Sequence, residues 1–163
     1  MLGVHSCSKC SDNSSIEMSS NDESFLERFI KIAIGMGIEP SKLLVSKSHK
    51  PTLYTIKFYN SKIRKFMDRS LDRSEHILKH PNAYTANYLA GIFDSCGGVD
   101  EKGIYMYSPG ERNIMLMERL GFHTSNMTKL RIRNSESFIA FIREHSLRMR
   151  SIIHLPGNER DLC

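Results

Sequence analysis

The stretch Tyr88-Leu-Ala-Gly-Ile-Phe-Asp-Ser-Cys-Gly-Gly98 decides how the rest of the chain is read. It predicts a short apolar helix that stops at a glycine pair, because glycine takes the left-handed end conformation at little cost. Ala90 and Gly91 are small residues in an otherwise bulky run. Small residues at that point let a second backbone approach the helix closely.

Working outward, the same order of elements is read twice. After this helix, Gly97 to Tyr107 reads as a hairpin and Glu111 to Leu120 as a helix with Ile114, Met117 and Leu120 on one side. A strand or loop from Phe122 to Met127 leads to the strand Thr128 to Arg133. Asn134-Ser135 then caps a helix that points Phe138, Phe141 and Ile142 inward. Upstream, residues 3 to 19 read as a hairpin, and Ser20-Asn-Asp-Glu23 has capping-box spacing before a helix from about Asp22 to Met36. Strands follow at Lys42 to Lys47 and Thr52 to Tyr59. Asn60-Ser61 caps a helix with Ile63, Phe66 and Met67 inward, and a polar linker runs from Ser70 to Pro81. Gly121-Phe122 echoes Gly37-Ile38, and the Asn-Ser cap recurs. Repetition on this scale weighs more for the fold than any single motif.

Leu89 to Gly97, LAGIFDSCG, resembles the signature of the LAGLIDADG homing endonucleases, and the repeat extends that resemblance over roughly residues 3 to 150. The resemblance implies an α+β fold of two tandem αββαββα repeats with saddle-like antiparallel sheets. The first repeat with its linker would occupy residues 1–82, the second 83–153, and a tail 154–163. Aligning Leu2-Gly-Val4 with Gly97-Gly-Val99 makes the first repeat begin where its own signature helix should end, so that helix is expected to be missing. The repeat interface would be built from Leu89, Ala90, Gly91, Asp94, Gly97 and Gly98. A homodimer through the lone signature helix is one way to complete it.

In the family, the eighth signature letter is an acid that binds divalent metal near the scissile phosphates, where metal activates water and stabilises phosphoryl charge. Here that position holds Cys96, a soft ligand and a poor substitute for a carboxylate on a hard cation. No intact catalytic residue is therefore expected. Asp94 matches the sixth letter, and Asp100 and Glu101 in the hairpin turn are the remaining acids within reach. The plainer reading of that pair is a solvated turn. No metal or small-molecule cofactor is expected, with magnesium entering only if the chain cleaves.

Strand side chains alternate between faces. If Tyr54, Ile56 and Phe58 face inward, Thr55, Lys57 and Tyr59 face out; if Leu130 and Ile132 face inward, Lys129, Arg131 and Arg133 face out. Counted back from the Asn-Ser caps, the outward residues coincide, and a slip of one residue would destroy that agreement. The resemblance makes these the residues that contact double-stranded DNA, together with Lys47. His49, Lys50 and Lys9 are further candidates. The plainer reading is an ordinary polar sheet face.

Composition sets wider limits. The chain has 163 residues, a formal net charge of +5 and 25% charged residues. That suits a nucleic-acid partner without identifying one. No apolar run approaches the roughly 20 residues that span a bilayer, nor does the N-terminus read as a secretory signal; the cytosol is the expected compartment. Cys7-x-x-Cys10 is at most half of a zinc site, and with no second pair following it reads as two reduced thiols. His76 and His80 have helical metal spacing but Pro81 ends the segment. The expected function is DNA binding with cleavage lost. The alternatives are an active site-specific endonuclease, or an interaction module that reuses the fold.

Overall fold

Two antiparallel sheets, each covered on one face by helices, form the molecule. The computed structural model describes Gly3 and residues 15–49, 52–125 and 129–149. The expectations for His5, Cys7, Lys9, Cys10, Lys50 and the tail lie outside these residues.

The first half runs β1 (Ser15–Ser20), α1 (Glu23–Gly35), a 3-10 turn (Pro40–Lys42), β2 (Leu44–His49), β3 (Thr52–Tyr59), α2 (Ser61–Arg73) and α3 (Glu75–Leu78). Its sheet has the order β1-β3-β2, with β3 antiparallel to both neighbours. Asp22 caps α1 by accepting from the Phe25 N–H at 3.2 Å, while Ser20 accepts from the Asp22 N–H. Phe25, Leu26, Phe29 and Ala33 turn one face of α1 onto Ile16, Met18, Ile56 and Phe58 of the sheet. Burial of each large apolar side chain contributes roughly 1.5–3 kcal/mol, and that drives the sheet and helix together.

The second half runs α4 (Ala83–Cys96), β4 (Gly97–Asp100), β5 (Gly103–Tyr107), α5 (Glu111–Arg119), β6 (Thr124–Ser125), β7 (Lys129–Ile132) and α6 (Ser135–Ile142), with sheet order β4-β5-β7-β6. The helix predicted from about Thr85 starts a little earlier because Asn82 caps it, accepting from the Thr85 N–H at 3.0 Å. Leu89, Ala90, Ile92 and Phe93 are fully buried against Ile104, Met106, Met117, Leu130, Phe138 and Ile142.

The ends of α1 and α5 share one geometry. Gly37 and Gly121 have φ of +88° and +84°. Ile38 N–H donates to Ala33 O and Phe122 N–H to Met117 O, each at about the same length, and both following side chains are buried. This is the six-to-one bond of a Schellman turn, which closes the helix and returns an apolar side chain to the core. The two Asn-Ser caps differ. Asn60 accepts from the Ile63 N–H at 3.0 Å. Asn134 makes no cap bond; its amide donates to Gly121 O, and its Oδ1 is buried without a partner.

Three expectations need correction. The sequence predicts Gly3 in a hairpin strand, aligned with Gly98, but Gly3 is helical and buried. It lies against the backbone of α4: a Cβ on Gly3 would overlap the Tyr88 carbonyl oxygen and come 2.9 Å from Ile92 N. Only glycine admits so close an approach. Gly3 of the same chain meets the surface of α4 around Gly91, for which a second molecule is one expected occupant. Second, the sequence pattern puts Phe66 inward, but it is 67% exposed. The packed stripe of α2 follows Ile63, Met67 and Leu71 at four-residue steps, which turns Phe66 out. Third, the polar linker from Ser70 begins inside α2, which continues to Arg73.

A second joint holds the halves together. Asp94, 3% exposed, accepts from Ser146 Oγ at 2.6 Å and from the N–H groups of Leu147 and Arg148. It thereby anchors a short helical turn whose Leu147 packs on the first core and whose Met149 packs in the second.

Candidate nucleic-acid interface

The alternation of β3 resolves as the pattern requires. Ile56 and Phe58 are buried under the helices, which leaves Thr55, Lys57 and Tyr59 on the opposite face. Cross-strand pairing supplies their neighbours: Ser19 and Ser46 beside Thr55, Glu17 and Leu44 beside Lys57. Thr55 and Ser19 hydroxyls are 2.7 Å apart. Lys57 Nζ stands 4.0 Å from Glu17 and 4.9 Å from the centre of the Tyr59 ring. Lys47 does not join this row. It pairs with Tyr54 and lies over that ring on the helix-side face, at the sheet's edge.

On the second sheet, Leu130 and Ile132 are buried, so Lys129 and Arg131 point outward with Tyr105 and Tyr107, their cross-strand partners. Arg133 is exposed just beyond β7. The face is bound together by Asp100. Arg131 donates to both carboxylate oxygens, at 2.8 and 2.9 Å, and Lys129 Nζ donates at 2.6 Å. Lys129 reaches Asp100 across the Tyr105 ring, 3.6 Å from its centre. Tyr105 in turn lies over Gly98, where a Cβ would come 2.5 Å from the phenol oxygen. The hydrogen bonds from Arg131 and then Lys129 hold the Asp100 carboxyl well below the usual carboxylate range. The same bonds raise Lys129 and Arg131 above theirs, so all three stay charged at neutral pH.

At the end of α4 the acids are committed to structure. Burial pushes the Asp94 carboxyl up, against the opposing pull of its bonds to Ser146, Leu147 and Arg148. Arg148 also donates to Gly97 O. Cys96 is disulfide-bonded.

No family model matches the sequence, and no curated protein does. Solved structures do match. The crystal structure of I-DmoI in complex with DNA and Ca aligns with a TM-score of 0.58 at 11% identity, over 94% of this chain and 98% of that one. The complex with DNA and Mn aligns at 0.53 and 13% identity, over 86% and 92%. Mesophilic variants of the homing endonuclease I-DmoI align at 0.56 and 11% identity. The chain has the LAGLIDADG homing-endonuclease fold.

That fold raises the question of a divalent cation at the end of α4, and the donors present do not fit one. The Asp94 oxygens are taken by three donors, the Cys96 sulfur is in a disulfide, and Asp100 faces two cations. Glu101 is exposed in the β4–β5 turn. Among the described residues, no three His, Cys, Asp or Glu side chains cluster as a metal site would need.

Of the residues expected at the repeat interface, Ala90 and Leu89 are fully buried and Gly91 meets Gly3. Asp94 joins the halves through the Ser146 turn. Gly97 lies under the Phe93 ring and Gly98 under Tyr105, so the latter serves the sheet face instead. Tyr105 and Tyr107 were missed as face residues. The alternation around buried Ile104 and Met106 carried the signal. Among the described residues, no helix is long and apolar enough to cross a membrane.

Proposed function

We propose that the chain is a double-stranded-DNA-binding protein made of two LAGLIDADG-type repeats, residues 1–82 and 83–153, in which phosphodiester cleavage has been lost. The observation that carries the reading is the pair of outward rows, Thr55-Lys57-Tyr59 and Lys129-Arg131-Arg133, at corresponding places on two antiparallel sheets. Cations on an exposed sheet neutralise phosphates, and an arginine fork can meet a guanine edge. I-DmoI, which shares the fold, has been crystallised with DNA. The matching Schellman turns at Gly37 and Gly121 support the repeat. Loss of cleavage is supported by the state of Asp94, Cys96 and Asp100, none of which offers a carboxylate to a hard cation.

Fluorescence anisotropy with a random-sequence duplex, measured from low to moderate salt, tests the binding. Several phosphate contacts predict a loss of about tenfold or more over that range. Reversing charge at Lys57, Arg131 and Arg133 together should abolish binding. If the triple variant binds as the wild type does, or the wild type binds no duplex, the chain is an interaction module on this fold. Site-specific cutting by the purified protein with magnesium would overturn the loss of activity.

A further inference from the structure

The hydrogen bonds around Asp100 define what that acid does. A carboxylate has about four lone-pair sites. On Oδ1 they receive Arg131 Nη1 at 2.8 Å and the Lys102 backbone N–H at 3.0 Å. On Oδ2 they receive Arg131 Nη2 at 2.9 Å and Lys129 Nζ at 2.6 Å. Asp100 therefore has no acceptor site left for an incoming base, and its carboxylate repels phosphate. Arginine carries five N–H donors in a rigid plane. Asp100 takes one from each terminal nitrogen, so the Nε–H edge keeps the side-on fork that a guanine O6/N7 edge accepts.

The geometry points to Asp100 as a positioning residue that holds the Arg131 guanidinium in the plane and orientation for reading one guanine, rather than leaving it to wander between phosphates. This rests on the DNA-binding reading above. The backbone fixes Asp100 itself, through Lys102 N–H in the β4–β5 turn. Lys129, stretched across Tyr105 to the same carboxylate, closes the other side. An arginine locked at both ends of its fork gives up rotamer freedom before DNA arrives, which is what preorganised recognition requires. The acid also cancels one positive charge on the face, so discrimination is gained while general attraction to DNA is reduced.

Selection from a randomised duplex library, with sequencing of the enriched fraction, reads this directly. The wild type should favour guanine at one position by roughly 5- to 150-fold, the range of a good bidentate contact. Asp100→Ala should flatten that position to within about threefold while binding random duplex more tightly, with a salt slope steeper by about one. Arg131→Lys keeps the charge but loses the fork; it should flatten the same position without a gain in random binding. Asp100→Asn is the nearly isosteric variant for the case in which the alanine change lowers the unfolding temperature, and it should weaken the same position. A merely structural acid would lower affinity for every sequence alike. The inference is overturned if Asp100→Ala keeps the guanine preference, if it weakens random binding, or if no guanine position responds to Arg131→Lys. A wild type that binds no duplex overturns the DNA-binding reading as well, which separates the two failures.

Discussion

On the first sheet, Thr55 shares a hydrogen bond with Ser19 and Lys57 stands 4.0 Å from Glu17; on the second, Lys129 and Arg131 both close on Asp100, the nearer at 2.6 Å. Both faces come from the same alternation of strand residues over a helical layer. They differ in how far the charges are fixed. Long cationic side chains carry up to about 2 kcal/mol of rotamer entropy. The second face has already given up much of it, through the four bonds that close on Asp100. A face whose charges are fixed in this way suits contacts that select sequence.

Expected outcomes that break or sharpen this contrast follow in order of size. Gly3→Leu attacks the contact of Gly3 with α4, because the new side chain would have to enter the backbone of that helix. It should cost about 3 kcal/mol or more of stability, and an unchanged thermal transition would remove Gly3 from the joint. Asp94→Ala strips three donors of their acceptor and should cost about 2–3 kcal/mol. The pH dependence checks its assignment. Burial raises the folded carboxyl above its ordinary value of 3.8, so the folded state binds more protons. The contribution of Asp94 to stability is full below the unfolded value and declines as pH rises through the folded one. Asp94→Ala should erase that decline in denaturant titrations.

Next in size, Arg131→Ala should weaken a selected duplex by about tenfold and Lys57→Ala by about threefold, since a planar guanidinium fork makes two directed bonds where an ammonium supplies a point charge. Equal losses in anisotropy measurements would erase the distinction between the faces. Of similar size are Gly37→Ala and Gly121→Ala. Each should cost about 1 kcal/mol for a left-handed residue with a Cβ, and the two costs should agree if the halves are built alike. Chemical denaturation that showed one cost without the other would argue against equivalent turns.

Much of this was legible from residue order. The alternation in Thr52–Tyr59 and Lys129–Ile132 placed the outward rows, because a period of two leaves each residue only one face. Gly37-Ile38 and Gly121-Phe122 marked the helix ends, because few residues besides glycine take positive φ readily. What escaped was contact between distant segments. Nothing local in Gly3 distinguishes a strand glycine from one pressed on a helix. Asp94 reads as a helix-end acid until the turn at Ser146, more than fifty residues on, arrives to use it. Asp100 reads as a solvated turn residue unless Lys129 and Arg131 are seen on its side of the sheet. Lys47 lay one residue off the outward register of its own strand, which pairing with Tyr54 reveals and composition does not.

Gly98 carries a consequence for anyone reshaping this surface. The contour of the second face depends on an atom that is missing: with no Cβ there, Tyr105 lies down across the strand and Lys129 lies down across Tyr105. Any larger residue at 98 would tilt the ring, lift the lysine from Asp100 and fill the hollow between them. Libraries that vary this surface would therefore do better to hold Gly98 constant as the mould in which the other side chains are cast.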